Sequence, residues 1–318
     1  MSENRNNVIL EMRGIVKEFP GVRALSGLSF DVRRGECHCL VGENGAGKST
    51  LMKILSGAYK PTEGRIFYEG REYRSLNPSL SKQLGIEIVY QENDLVPTMN
   101  AVENIFVGKE ITKFGGIVDF AAMHERVEAL MARYHINIDP FQTIEKMSVS
   151  DQQFVKILKA LMNESRILIM DEPTSMFNVE DAGKVLELVR NITGHGISVI
   201  YISHFLKEVV QIADRITVIR DGSVINTYDN TGRDVSLDLI TRDMVGRPVD
   251  MFYEKDPCEI GDVMFEVRDL KLTRESPAIS FKVRRGEIVG LSGMVGSGRT
   301  EIVRAIAGAD PRYSGDIY

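Results

Sequence analysis

Hydrophobic and polar positions alternate with a period of two in the first part of the chain. Val8-Ile9-Leu10-Glu11-Met12-Arg13 and Leu28-Ser29-Phe30-Asp31-Val32 read as strands with one buried face. Arg33-Arg34-Gly35-Glu36 turns the chain into the apolar run Cys37-His38-Cys39-Leu40-Val41, and Leu51-Met52-Lys53-Ile54-Leu55 predicts a helix a short loop later. Two more strands follow, Gly64-Arg65-Ile66-Phe67-Tyr68-Glu69-Gly70 between glycines and Ile86-Glu87-Ile88-Val89-Tyr90. Over residues 100–164 the period becomes helical. Phe120, Met123, Val127, Leu130, Met131 and Tyr134 form one stripe, and Phe154, Ile157, Leu158 and Leu161 a second. Strand character returns in Ile167-Leu168-Ile169-Met170 and Ser198-Val199-Ile200-Tyr201-Ile202, separated by a helical stripe of Val185, Leu188, Val189 and Ile192. Residues 214–228 predict a hairpin about Arg220-Asp221-Gly222-Ser223, and residues 236–245 a short helix stopped by Gly246 and Pro248. Strands alternating with helices predict an α/β fold with a mostly parallel core sheet and a helical subdomain inserted at about residues 92–164.

The end of the chain repeats its beginning. Ser280-Phe281-Lys282-Val283-Arg284-Arg285-Gly286-Glu287 overlays Ser29-Phe30-Asp31-Val32-Arg33-Arg34-Gly35-Glu36 at a constant offset of 251 (280 minus 29), and the register holds through Gly293/Gly42, Gly298/Gly47 and Arg299/Lys48. Residues 1–247 therefore read as a first domain, 248–262 as a linker and 263–318 as the start of a second copy. Tyr318 corresponds to Phe67 of the first copy, so the second copy is expected to be C-terminally truncated, too short for its own core and poorly ordered beyond about residue 262.

Composition narrows the classes. Forty-three per cent hydrophobic and 26% charged residues suit a globular protein, and runs such as Ile197-Ser198-Val199-Ile200-Tyr201-Ile202 fall short of the roughly 18–20 apolar residues that span a bilayer. The polar start, Met1-Ser2-Glu3-Asn4-Arg5, predicts no leader and a cytoplasmic location. Net charge is −6 and basic residues are scattered in pairs such as Arg33-Arg34 and Arg284-Arg285, so no nucleic-acid partner is expected. Cys37, Cys39 and Cys258 make no disulfide framework. Cys37 and Cys39 share a strand face and could reach one ion, but no second Cys/His pair lies at ligand spacing, which favours buried strand cysteines.

The chemistry concentrates in Gly42-Glu43-Asn44-Gly45-Ala46-Gly47-Lys48-Ser49-Thr50, set between the predicted strand and helix. This is the context of a phosphate-binding loop. Glycines let backbone N–H groups face a polyphosphate, the helix N-terminus adds positive potential, Lys48 reaches the β- and γ-phosphates and the Ser49 hydroxyl ligates Mg²⁺. The run Ile167–Met170 ends in Asp171-Glu172. In an open parallel sheet functional groups gather at strand C-termini, so Asp171 is placed in the Mg²⁺ shell and Glu172 beside the attacking water; a plain acidic helix cap is the alternative. Phe19 precedes Lys48 by 29 residues (48 minus 19) and could stack on a nucleobase, though a core or surface phenylalanine explains it equally. Gln91 and His204 each follow a strand.

In order and spacing, this loop, Gln91, the helical insertion, Met147-Ser148-Val149-Ser150-Asp151-Gln152-Gln153, Met170-Asp171-Glu172-Pro173 and His204 resemble the ATP-binding cassettes of ABC transporters. The tandem copy, Asn100-Ala101-Val102-Glu103-Asn104 and Met244-Val245-Gly246-Arg247 narrow the resemblance to the double-cassette subunit of ribose/galactose/xylose-type sugar importers. The resemblance implies a P-loop NTPase cassette with an antiparallel β subdomain beside the core sheet. It further implies ATP and Mg²⁺ as cofactors, Gln91 coupling γ-phosphate and metal to integral-membrane permease subunits, His204 steadying the γ-phosphate beside Glu172, and Ser148 acting in trans on nucleotide held by a second cassette or a homodimer partner. It makes a periplasmic or extracellular sugar-binding protein an indirect partner and places the subunit on the inner face of the membrane. Several positions depart from the family pattern: Ser150 replaces a glycine, Met147 stands where Leu is usual, Met176-Phe177-Asn178 stand where a small residue, Leu and then Asp or Thr are usual, and Arg299 replaces the loop lysine in the second copy. Two other readings stay open, a soluble tandem ATPase acting on ribosomes or DNA and a nucleotide-binding module with little turnover.

Overall fold

Strands β1 (Val8–Phe19) and β2 (Val22–Arg33) form an antiparallel hairpin in which Gly21, at φ 79°, takes the left-handed turn position. β4 (Glu63–Tyr68) pairs with the other edge of β1, and β5 (Arg71–Tyr73) with β4, in the order β2-β1-β4-β5. The alternation read from the sequence is a one-sided sheet: Leu10, Met12, Phe30 and Ile66 are buried, while Arg13 and Arg65 face out. The computed structural model describes residues 7–90, 94–246, 258–293 and 296–318, and its contacts divide the chain into two compact units, Met1–Val249 and Asp250–Tyr318.

The first unit is centred on a six-stranded sheet built from β3 (Cys37–Val41), β6 (Ile86–Val89), β7 (Ile167–Asp171), β8 (Ser198–Ile202), β9 (Arg215–Arg220) and β10 (Ser223–Asp229). Its order is β10-β9-β3-β8-β7-β6, parallel throughout except for the β9–β10 hairpin at one edge. Central strands buried on both faces explain the continuous apolar runs, because successive side chains go to opposite sides. Ile167 and Ile169 join Leu40, Ile200 and Ile202 in a core shared with the antiparallel sheet and helix α1 (Lys48–Leu55). Leu168 and Met170 join Cys39, Val199 and Tyr201 in a second core, packed against α5 (Val149–Leu161) and α6 (Val179–Gly194). The helical block contains α3 (Ala101–Phe106), α4 (Phe120–Tyr134) and α5; Asn100 and Glu103 make a reciprocal capping box at the start of α3. The short elements α2 (Pro78–Gln83), β5 and α7 (Leu206–Ile212) carry too few residues for their periodicity to show in the sequence. The unit ends in α8 (Leu237–Val245), terminated by left-handed Gly246.

A buried ionic cluster ties the start of β3 to β2 and β9. Arg215 donates to Glu36 Oε1 at 2.8 Å and Oε2 at 2.9 Å and to Asp31 Oδ2 at 2.7 Å. His38 stacks on Phe30, donates from Nδ1 to the Asp31 carbonyl at 2.9 Å and meets Thr217 Oγ1 through Nε2 at 2.7 Å. Cys37 and Cys39 lie in the other core, so the three residues do not converge on one ion. Burial pushes the Glu36 carboxyl up, but hydrogen bonds from His38 and Arg215 and their charges outweigh it and bring its pKa from 4.5 to about 2. A carboxyl depressed on folding stabilises the protein above its unfolded pKa, and that contribution is lost as pH falls through the folded value. About 3 kcal/mol is therefore expected to disappear between roughly pH 4.5 and pH 2. Urea midpoints followed downward in pH should fall more shallowly for Glu36→Gln than for the native chain; parallel slopes would remove this assignment.

The second unit repeats the first sheet's topology. β12 (Ile279–Arg284), β11 (Val263–Lys271) and β13 (Ser314–Ile317) pair in that order, α9 (Arg299–Ile306) follows the second loop, and Val267, Leu270 and Ile302 are its buried residues. Residues 263–318 thus carry regular structure where poor order was expected, because three paired strands satisfy one another's backbone groups. Residues 288–292, the counterpart of β3 at the same offset, form no strand, and Ile288 is 81% exposed. In the first unit that strand is paired on both sides, by β8 and β9.

Candidate functional site

Parallel register sets the site. Leu40 of β3 and Asp171 of β7 both lie opposite Ile202 of β8, so the three strands end at one edge and deliver their following residues to one cleft. Residues 42–45 and 47–50, Asp171, Glu172, His204 and Met244 line it. Of the residues read as functional from the sequence, the loop, both carboxylates and the histidine therefore come together. His204 stands beside Glu172 as the family resemblance implied, although no spacing signal joins positions so far apart in the chain; Met244, delivered by α8, was not foreseen.

The turn from β3 to α1 requires glycine at two places. A Cβ on Gly42 would lie 2.2 Å from the Ile219 carbonyl oxygen. Gly47 caps α1 at φ 108°, where a Cβ would meet Leu25 Cδ2 at 2.7 Å and the Ala24 carbonyl at 2.9 Å. Lys48, the first residue of α1, is 8% exposed and folds back along the loop, its Nζ donating to Gly42 O at 2.6 Å and Glu43 O at 2.9 Å. Burial lowers the pKa of this ammonium, while the charges of Glu172 and Asp171 act in the opposite sense.

At the end of β7, burial and then the neighbouring Glu172 push the Asp171 carboxyl up, and Lys48 and Lys53 hold it down. Glu172 sits in the left-handed region at φ 47°, a conformation uncommon outside glycine and concentrated at functional sites. Its N–H donates to Ile202 O at 2.9 Å, and its Oε1 accepts from His204 Nδ1 at 3.0 Å. The cleft thus offers a cation and a helix N-terminus on one wall and two carboxylates with an imidazole on the other, the complement of a polyphosphate carrying a divalent cation.

The remaining predicted residues lie elsewhere. Phe19 is half-buried, packs edge to face on Tyr59 at 5.3 Å and is capped by Lys17 Nζ at 4.9 Å; it is not among the residues lining the cleft. Ser148 caps α5, where its hydroxyl donates to Asp151 Oδ2 at 2.8 Å and lies 2.9 Å from Ser150 Oγ. Asn178 caps α6 by accepting from Asp181 N at 2.9 Å, the task an Asp or Thr would perform there. Arg299 begins α9 as Lys48 begins α1, but it is exposed. Gln91 lies outside the described residues.

Residues 25–175 match the ABC transporter family, an interval that contains both the loop and the two carboxylates. The chain is 43% identical over 309 residues to the ribose import ATP-binding protein RbsA 3 of Rubrobacter xylanophilus, covering 97% of this chain and 62% of that protein. It is 43% identical to the putative ribose/galactose/methyl galactoside import ATP-binding protein 1 of Burkholderia lata, covering 97% and 60%. It is 41% identical to the ribose import ATP-binding protein RbsA 2 of Streptomyces coelicolor, covering 100% and 61%. The chain spans about three fifths of the length of these curated relatives. Among solved structures it resembles a nucleotide-free ATP-binding cassette from an ABC transporter, with a TM-score of 0.66 at 23% identity over 78% of this chain and 100% of that one. It also resembles the dimeric cassette MJ0796 in a post-hydrolysis state with ADP and Pi, with a TM-score of 0.59 at 23% identity over 70% and 98%. By its strand–loop–helix, its paired carboxylates and these relatives, the chain belongs to the ATP-binding cassette proteins of ABC transporters.

Proposed function

We propose that the chain is the ATP-hydrolysing subunit of a bacterial importer for a monosaccharide of the ribose/galactose class. The observation that carries ATP hydrolysis is the Glu172–His204 pair, 3.0 Å apart, in the cleft that also holds the glycine loop and Lys48; the sugar class rests on the likeness to ribose and ribose/galactose import ATP-binding proteins. Lys48 already spans two loop carbonyls and can turn its ammonium toward β- and γ-phosphate oxygens. Glu172 orients the attacking water and takes its proton as the water oxygen bonds to the γ-phosphorus and the bond to ADP breaks; His204 holds the Glu172 carboxylate and the γ-phosphate in place.

The site suits Mg²⁺ through oxygen ligands. Among the described residues no group of three or more His, Cys, Asp or Glu could hold a metal alone. Ser49 and Asp171 lie in the cleft, and Mg²⁺ is commonly held by one or two protein oxygens together with substrate phosphates. Bound there, it would neutralise phosphate charge. Phe19 is assigned to the nucleobase, Gln91 to coupling with the permease, and Ser148 to nucleotide on a facing cassette, whether a second cassette or another copy.

The partners in this reading are integral-membrane permease subunits and, through them, a sugar-binding protein. The chain would work at the cytoplasmic face; among the described residues no helix is long and apolar enough to cross a membrane. Phosphate release by the chain copurified with its membrane subunits tests the proposal. Mg²⁺-dependent turnover that rises with sugar-loaded binding protein is expected, whereas turnover driven by ribosomes or DNA would replace it with the soluble-ATPase reading.

A further inference from the structure

Three polar side chains that are not among those lining the cleft meet next to the Glu172 and His204 segments. Thr174 follows Glu172 by two residues and is 2% exposed; Tyr201, on β8, precedes His204 by three and is fully buried. Glu208, on α7, lies one turn beyond His204. Glu208 Oε2 accepts from Thr174 Oγ1 at 2.6 Å and from the Tyr201 hydroxyl at 3.0 Å, and the two hydroxyl oxygens are 3.3 Å apart. Burial and the Glu208 charge hold the Tyr201 phenol well above its ordinary pKa, so it remains a donor. Two hydroxyls converging on one carboxylate oxygen join the segment after Glu172, the strand before His204 and the helix after His204.

This junction matters because Glu172 is held against its own preference. Its left-handed backbone persists only where the surroundings over-determine it. The holds on that turn include Glu172 N to Ile202 O at 2.9 Å, Ser175 N to Glu172 O at 3.2 Å, Phe177 N to Thr174 O at 3.0 Å, and the Thr174 side chain on Glu208. Cutting the last removes the hydrogen bond that ties the turn to α7, the helix that follows His204.

We propose that Glu208, through Thr174 and Tyr201, is the positioning residue that keeps Glu172 and His204 in hydrolytic register, an inference that rests on the ATP-hydrolysing reading above. Glu208 is not among the residues that line the cleft, so its loss is expected to act on turnover and not on binding. Misplacing a reacting group by about 1 Å costs on the order of 10²-fold in rate.

The test is kcat and KM for ATP in the chain copurified with its membrane subunits. Glu208→Leu should lower kcat by about 10- to 100-fold with KM within about twofold of the native value. Glu208→Gln keeps an oxygen that can accept both hydroxyls and should restore at least about a third of the native kcat. Tyr201→Phe, which keeps the ring, should lower kcat by about threefold at unchanged KM. Native kcat in Glu208→Leu, a rise in KM matching its loss, or a Glu208→Gln variant as slow as Glu208→Leu each overturns the proposal. Should the leucine variant not fold, Tyr201→Phe decides: a lower kcat at unchanged KM upholds the proposal and native kcat overturns it. Failure of the underlying reading looks different, as no turnover in the unsubstituted assembly or native turnover in Glu172→Gln.

Discussion

Glu172→Gln is expected to lower steady-state ATP turnover by about 10²- to 10⁴-fold while leaving MgATP affinity within about twofold. The amide has the size of the carboxylate and can still meet His204, which stands 3.0 Å from Glu172 Oε1, so the cleft keeps its shape. In the proposed function, what the variant loses is the acceptor for the water's proton and the negative charge that orients that water. Replacing a carboxylate also relieves the repulsion that raises the Asp171 pKa, so Asp171 should ionise more readily in the variant and binding should not suffer. Phosphate release under saturating MgATP, with nucleotide affinity measured alongside, separates the two effects. Native turnover in Glu172→Gln would move the base to another residue; a parallel loss of binding would make Glu172 a ligand instead.

Much of this site was legible before the structure because its parts are local. The loop declares itself through spacing: Gly42 must be bare against Ile219 O, Gly47 must take φ 108°, and Lys48 must begin a helix, and these demands fall within a few residues of one another. Asp171 and Glu172 were readable because a buried parallel strand ends abruptly in charge. The contacts that join distant segments were not readable from spacing, and His204 was set beside Glu172 only by the family resemblance. His204 meets Glu172 only because β7 and β8 pair in a register that sets Asp171 against Ile202, and Glu208 reaches Thr174 only because α7 turns back over that edge. Phe19 shows the same limit, since its spacing gave no hint of the edge-to-face partner Tyr59. The second copy is instructive in another way. Its alternation correctly marked strands such as β12, but residues 288–292 match the buried strand β3 in pattern and not in structure. An apolar run becomes a central strand only when neighbours supply hydrogen bonds on both sides.

Lys48→Ala is expected to abolish most nucleotide binding. In the native chain its ammonium is nearly buried, anchored to Gly42 O at 2.6 Å and Glu43 O at 2.9 Å, and faces Asp171 and Glu172 electrostatically. Alanine leaves both carboxylates without that counter-charge, so an incoming triphosphate meets net repulsion as well as the loss of charge-assisted hydrogen bonds. Hydrogen bonds to charged groups contribute about 1.5–3 kcal/mol each, which makes the expected loss of affinity on the order of 10- to 100-fold or more. The fold should survive, since α1 keeps its apolar contacts through Leu51, Ile54 and Leu55.

That the cleft between residues 42–50 and Asp171-Glu172 holds nucleotide by its phosphates is tested most directly by calorimetric titration of the native and Lys48→Ala chains with MgATP and with AMP. The expected result is saturable MgATP binding by the native chain, loss of most of it in Lys48→Ala, and weak AMP binding that the substitution leaves unchanged, because AMP has no β- or γ-phosphate for Lys48 to reach. Equal MgATP affinity in the two chains, or AMP binding as tight as MgATP, would contradict it.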